Sequence, residues 1–389
     1  MTVSRAEEVA RYFDRLGRDV SRGWSAASRA NSALPHVAAR SLELVEPPAD
    51  LGAVDVLTHA AVAGDLPVQG YEQFGQPPVI VYREDDFYVQ VLIWLEGVTD
   101  IHQHGFDGAF RVVEGSSLHV PYRFGIGELL ADDHLRVGEL SMEAPEVLQR
   151  GAVRAIPAGD EFIHALFHLE RPSVTVVVRN DWSDLEYPQF SYRRPGLGYD
   201  RLHHEGRVEK QIQAVTVAHR LDRPVGLRLA HEFVASEPLW AAFVLVDRWF
   251  ESTGGGEDFA GLLEALSGRE KALEGLLEAC YADGERQRRI MARRGLITAQ
   301  QHRLFMALLA NLPGREAIDV VLAQLYPGED TTELLRAWIG ELVSPAYRGV
   351  SGLALDAEGT AALDDPDAER LLEWASRQWK TPQLLRKLF

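Results

Sequence analysis

Trp94-Leu-Glu-Gly97-Val-Thr-Asp-Ile-His102-Gln-His104-Gly-Phe-Asp-Gly108-Ala-Phe-Arg-Val-Val-Glu-Gly115 is the stretch that decides how this chain is read. On an extended strand alternate side chains share a face, so His102 and His104 can present two imidazoles, about 7 Å apart in Cα, to one metal ion. A third ligand has to come from elsewhere. Gly151-Ala-Val-Arg-Ala-Ile-Pro157-Ala-Gly159-Asp-Glu-Phe-Ile-His164-Ala-Leu-Phe-His168 offers one, because a turn there sets up a strand whose His164 can face the pair across a barrel. Glu161 is near enough in sequence to His164 to be an alternative carboxylate ligand.

Working outward, short runs rich in Val, Ile, Tyr and Phe recur from about Pro78 to Asn180. They cover 79–82, 87–95, 109–113, 117–122, 135–142, 153–156, 161–167 and 174–178. Turn residues separate them at the even spacing of a sandwich or barrel. Upstream, Val9, Tyr12, Phe13, Leu16 and Val20 recur at helical spacing, which predicts one or two helices before the Pro47-Pro48 break. Downstream, 181–207 reads as an aromatic and Arg-rich connector with Trp182, Tyr187, Tyr192, Arg193, Arg194 and Tyr199, too irregular for an element of its own. From about Ile212 the period is helical again. Thr298 with Gln301 and Asp330 with Glu333 read as capping boxes, and Asp365-Pro366 as an N-cap followed by a first-turn proline. The expected domains are an N-terminal helical segment (1–75), a β barrel (76–182), a connector (183–210) and an all-α domain (211–389). The fold class is therefore α+β.

The two histidine stretches resemble the motifs of the cupin superfamily, G(x)5HxH(x)3-4E(x)6G and G(x)5PxG(x)2H(x)3N. Gly97, His102, His104 and Gly115 match the first with one residue fewer before the pair. Gly151, Pro157, Gly159 and His164 match the second with two more before the histidine, and His168 stands where the motif has Asn. The resemblance spans Pro78 to Asn180 and implies a double-stranded β-helix, or jelly-roll, barrel. The usual glutamate ligand falls at Gly108, which leaves His102, His104 and His164 as the implied metal ligands. That three-histidine set is similar to the cysteine dioxygenase group of thiol dioxygenases, as is the upstream series Tyr82-Arg83, Phe87, Trp94, Gly97 and Ile101-His-Gln-His.

By that likeness Arg83 corresponds to the arginine that meets the substrate carboxylate. The group's Ser-x-His-x-Tyr has no match, since the positions reached are Val177, Arg179 and Asp181, and a cysteine–tyrosine crosslink is impossible with Gly108. The expected substrate is consequently larger or more anionic than free cysteine. Strand alternation adds His119 and Arg179 as candidates for lining the barrel. Three neutral imidazoles suit Fe(II) with O2 and an anionic bidentate substrate, with Mn, Ni, Co or Cu as further options. The expectation is a mononuclear non-haem iron oxygenase for a small carboxylate-bearing metabolite. A redox-neutral metal-dependent isomerase or lyase, and a metal-binding sensor with a helical partner-binding domain, stand as alternatives.

Composition bounds the remaining options. The 389 residues suffice for two or three domains at about 100–200 residues each, and 46 % hydrophobic content supplies core. The formal net charge of -18, with no compensating basic cluster, argues against nucleic acid as a partner. The longest apolar run, around 89–95, is far below the roughly 20 residues of a membrane-spanning helix, and the first residues lack a signal peptide's apolar region. Residence in the cytoplasm, no membrane contact and a homodimer as one assembly option are the corresponding expectations. Cys280, the one cysteine, cannot form an internal disulfide and sits on a helical apolar pattern as a small buried residue. No phosphate-binding loop, dinucleotide fingerprint or nucleophile elbow is present.

Overall fold

The first helix, α1 (Arg5–Ala26), starts at a reciprocal cap: Glu7 N–H donates to the Ser4 hydroxyl and Ser4 N–H to the Glu7 carboxylate. With α2 (Leu34–Leu44) and α3 (Ala53–Val62) it forms the N-terminal helices. The strands follow as β1 (Pro78–Arg83), β2 (Phe87–Trp94), β3 (Ile101–His104), β4 (Gly108–Glu114), β5 (Ser117–Ile126), β6 (Leu135–Met142), β7 (Glu146–Leu148), β8 (Val153–Ile156), β9 (Gly159–His168), β10 (Ser173–Asn180), β11 (Phe190–Arg193) and β12 (Leu197–Asp200). The later helices are α4 (Gly206–Leu221), α5 (Arg223–Ser236), α6 (Leu239–Thr253), α7 (Glu257–Ser267), α8 (Leu276–Arg294), α9 (Gln300–Asn311), α10 (Gly314–Leu325), α11 (Thr331–Leu342), α12 (Ala357–Asp364) and α13 (Ala368–Arg377). This computed structural model describes residues 4–70, 74–97, 100–127, 130, 132–181, 187–253, 255–347, 349–353, 357–364 and 368–378.

Contacts divide the chain into two units. The first contains two antiparallel sheets. One has the order β1-β2-β10-β4-β8; in the other, β3, β9, β5 and β7 lie side by side. Alternation assigns each strand's residues to two different environments. Phe87, Val89, Val91 and Ile93 of β2, with Val174, Val176 and Val178 of β10, pack outward against Tyr12, Phe13, Leu16 and Val20 of α1 and Ala38 and Leu42 of α2. Leu92, Trp94, Phe110, Val112 and Val177 point the other way and pack with Leu148, Phe162 and Leu166 of the facing sheet. The result is a barrel of two facing antiparallel sheets with N-terminal helices over one wall and a helical C-terminal region, the mixed α+β fold expected. Within this unit α10 guards the edge strand β7, because Gln324 accepts from Val147 N–H and donates to the Pro145 carbonyl.

The second unit is built from β6, β12, β11 and the helices α4 to α7, around Leu197, Ile212, Phe233, Trp240, Phe243, Trp249 and Phe259. The segment read as an irregular connector contains the β11–β12 hairpin, with Phe190 opposite Asp200 and Arg193 opposite Leu197. Its Arg194-Pro195-Gly196 turn is the signal that the aromatic texture concealed. Cys280 is buried, as expected, and burial pushes its thiol up to about 12. The Asp330 cap holds, accepting from Thr332 and Glu333 N–H, whereas α9 starts after Ala299 with no side-chain cap from Thr298. Trp182 and the Asp365-Pro366 start lie outside the described residues. Among those residues, no helix is long and apolar enough to cross a membrane.

Candidate metal centre

Strands β3 and β9 pair antiparallel with His102 opposite His164, and a bulge between His102 and His104 re-aims the second imidazole. His102, His104 and His164 are all buried, and one donor atom from each lies within 4.8 Å of the others. His104 Nε2 and His164 Nε2 are 3.0 Å apart. Two nitrogens bound side by side to one ion at about 2.0–2.1 Å would be separated by about 3 Å, so the pair already has the spacing of ligands. Burial, reinforced by the neighbouring imidazole of His102, pushes both rings well below the usual histidine range. They are therefore held in the neutral form in which an imidazole donates a lone pair. The donor set fits a divalent transition metal.

Glu161 does not join them. It is exposed on β9 and, three positions from His164, projects from the opposite face of the strand. Gly108, where the resembled motif has a glutamate, leaves no room for a side chain: a Cβ there would stand 2.1 Å from the Val178 carbonyl oxygen of β10. Aromatic rings close the surroundings, with Phe106 4.6 Å from His104, Phe162 4.4 Å from His164 and Phe74 5.7 Å from His102, centroid to centroid.

Arg179 is buried (4 % exposed), with its guanidinium 3.6 Å over the Phe106 ring, and its charge helps to depress His104. On β10 it shares a face with Val177, which packs in the barrel interior. Arg83, expected to meet a substrate carboxylate, is one-third exposed and ion-paired with Asp181. Both guanidinium groups lie 5.3 Å from the Tyr88 ring. His119 is also buried inside, its ring 5.2 Å from that of His164. Its Nδ1 is 2.8 Å from Glu146 Oε1, and Glu146 is gripped in turn by Arg154, whose Nε lies 2.9 Å from the same oxygen. These partners hold Glu146 down at about 2. His119 Nε2 is buried with no hydrogen-bond partner among the described residues. Sequence reading missed Glu146 and Arg154, because the β5–β7 pairing that puts Glu146 opposite His119 leaves no local motif.

His168 lies away from the trio, stacked on Trp94 at 4.6 Å and in contact with the Ser117 and Ser173 hydroxyls at 3.0 and 3.2 Å. Burial pushes its imidazole down to about 3, whereas an unfolded histidine titrates at about 6.5. The folded chain thus stays neutral at this site where the unfolded chain takes up a proton. Its contribution is complete above about pH 6.5 and is lost toward acid at about 1.4 kcal/mol per pH unit. His168→Asn, which cannot titrate, should therefore lose about 2 kcal/mol less stability than the parent between about pH 6.5 and 5. Urea unfolding at both values checks this, and equal losses would refute it.

No family model matches the chain, and the search of curated proteins finds no match either. Among solved structures, similarity extends to a cupin-2 domain protein of Shewanella frigidimarina, at 12 % identity over 34 % of this chain and 96 % of that one, with a TM-score of 0.20. The DMSP lyase DddQ of Ruegeria pomeroyi is similar at 15 % identity over 46 % of this chain and 95 % of that one, with a TM-score of 0.25. Hydroquinone 1,2-dioxygenase of a Sphingomonas species is similar at 14 % identity over 35 % and 81 % of the two chains, with a TM-score of 0.22.

Proposed function

We propose that the chain is a mononuclear metal-dependent oxygenase, with Fe(II) as its ion, acting on a small metabolite that carries a carboxylate. The observation that carries this reading is the convergence of three buried imidazoles beside a buried arginine on the inner face of one barrel. A divalent ion held by three neutral ligands keeps its charge and several open positions, and so supplies Lewis acidity and, as Fe(II), one-electron chemistry with O2. His102, His104 and His164 hold the ion. Arg179 pairs with the substrate carboxylate, and Phe106, Phe110 and Phe162 exclude water from around it. Metal analysis of protein purified without added metal, followed by O2 uptake against pools of amino acids and thiols, tests the reading. Absence of metal, or metal without O2 uptake on any pool, counts against it.

A redox-neutral isomerase or lyase is the second reading, favoured by the His119–Glu146 pair. Glu146 engages Nδ1 of His119 and so leaves the buried Nε2 as the ring nitrogen that can exchange a proton with a substrate. Turnover under strict anaerobiosis distinguishes it from the oxygenase.

The two arginines separate in kinetics. A charge-assisted pair with a carboxylate contributes about 1.5–3 kcal/mol, so Arg179→Ala should raise the KM about 10- to 100-fold with metal content unchanged. Arg83→Ala, which removes a partly exposed ion pair at the end of β1, should change the KM by less than about fivefold. The reverse ranking would return the carboxylate to Arg83.

A further inference from the structure

We propose that His134, Asp200 and His203 form a second metal site, for a zinc-like divalent ion, in the unit that does not contain the barrel centre. The three residues are brought together by topology. Tyr199 of β12 pairs with Leu135 of β6, and Asp200 N–H donates to the His134 carbonyl at 2.9 Å, so Asp200 and His134 are cross-strand neighbours. Past the end of β12 the chain doubles back, because Asp200 Oδ1 accepts from the backbone N–H groups of Leu202 and His203 at 3.1 and 3.2 Å. This turn lays the His203 ring over that of His134 and fixes the carboxylate. One donor atom from each of the three residues then lies within 4.8 Å of the others.

The distances read as those of ligands. His134 Nδ1 is 3.3 Å from Asp200 Oδ2, longer than the about 2.7–2.9 Å of a charge-assisted hydrogen bond. Two donors each about 2.0–2.1 Å from one tetrahedral ion lie about 3.3 Å apart. The His134 and His203 rings are stacked face to face, with centroids 3.4 Å apart and planes 15° apart. Because an imidazole lone pair lies in its ring plane, a shared ion requires the two rings to splay from this stack, a movement their partial exposure permits. His203 Nε2 is 3.5 Å from Glu205 Oε1, the kind of outer carboxylate that usually orients a metal-bound imidazole, which leaves Nδ1 for the ion. Asp200 is buried while the His134 side chain is one-third exposed, so the site has a route from solvent and a position left open beyond its three protein ligands. Two imidazoles and one carboxylate select zinc or a similar transition ion over Mg or Ca, which take oxygen ligands.

Metal-free full-length protein titrated with Co(II), followed by its visible spectrum and by calorimetry and repeated with Zn(II), tests the assignment. The parent should bind two equivalents and His134→Ala or His203→Ala one, with circular dichroism unchanged because both histidines are partly exposed. His102→Ala should lose the other equivalent and keep the one held by His134. If the parent binds a single ion that vanishes in His134→Ala and persists in His102→Ala, this site stands and the barrel reading falls. Unaltered stoichiometry in both His134→Ala and His203→Ala overturns the proposal, as does a parent that binds one equivalent lost only in His102→Ala.

Discussion

Protein carrying His164→Ala is expected to fold and to leave purification without stoichiometric metal in the barrel. The same holds for His102→Ala and His104→Ala. Two neutral imidazoles compete poorly with water for a divalent ion, and the loss should exceed the about 10- to 100-fold in affinity that removing an outer partner of a ligand costs. Glu161→Ala, by contrast, should keep its metal, since that carboxylate is exposed on the other face of β9. Competition against a chromophoric chelator, with metal content measured in parallel, reads all four variants. Retained stoichiometric barrel metal in any of the three histidine variants would remove the basis of the proposed chemistry.

Gly108→Ala should damage the fold more than any single change at the ligands. The new Cβ would meet the Val178 carbonyl oxygen at 2.1 Å and the Arg179 Cα at 3.1 Å, both backbone atoms of the neighbouring strand. Because Gly108 pairs with Arg179 and with Ile156, β4 cannot retreat without opening the ladders to β10 and β8. Overpacking of this kind costs about 3 kcal/mol or more. Urea unfolding or the yield of soluble protein reads the effect, and a variant as stable as the parent would show that the strands can part. The same contact explains why a glutamate cannot serve as a fourth ligand here.

Both halves of the histidine set were legible in sequence because their chemistry is local: two imidazoles one residue apart, and a Pro-x-Gly turn ahead of a third. Eight strands were legible from runs of β-branched and aromatic residues. What escaped depends on pairing between distant segments. Glu146 reaches His119 only through the β5–β7 register, and Asp181 reaches Arg83 across 98 positions. The β11–β12 hairpin hid because its strands are only four residues each, too short for their alternation to stand out from the aromatic and Arg-rich flanks, and Thr298 lost its capping role when α9 began one residue after Ala299. Gly108 was legible as a missing carboxylate, while the reason, a carbonyl of the adjacent strand, belongs to tertiary structure.

The wall under the N-terminal helices keeps its two faces separate. Phe87, Val89, Val91 and Ile93 lie beneath α1 and α2, while Tyr88, Gln90, Leu92 and Trp94, interleaved with them, point inward. A substitution on the inward set leaves the helix-packed set untouched, because the strand's alternation keeps their environments apart. Selection can thus retune what the barrel accepts, by changing Gln90, Thr175 or Arg179, while the outward contacts continue to carry most of the wall's stability. Divergence in this lineage should accordingly run in a two-residue rhythm along β2 and β10, with drifting positions alternating with fixed ones.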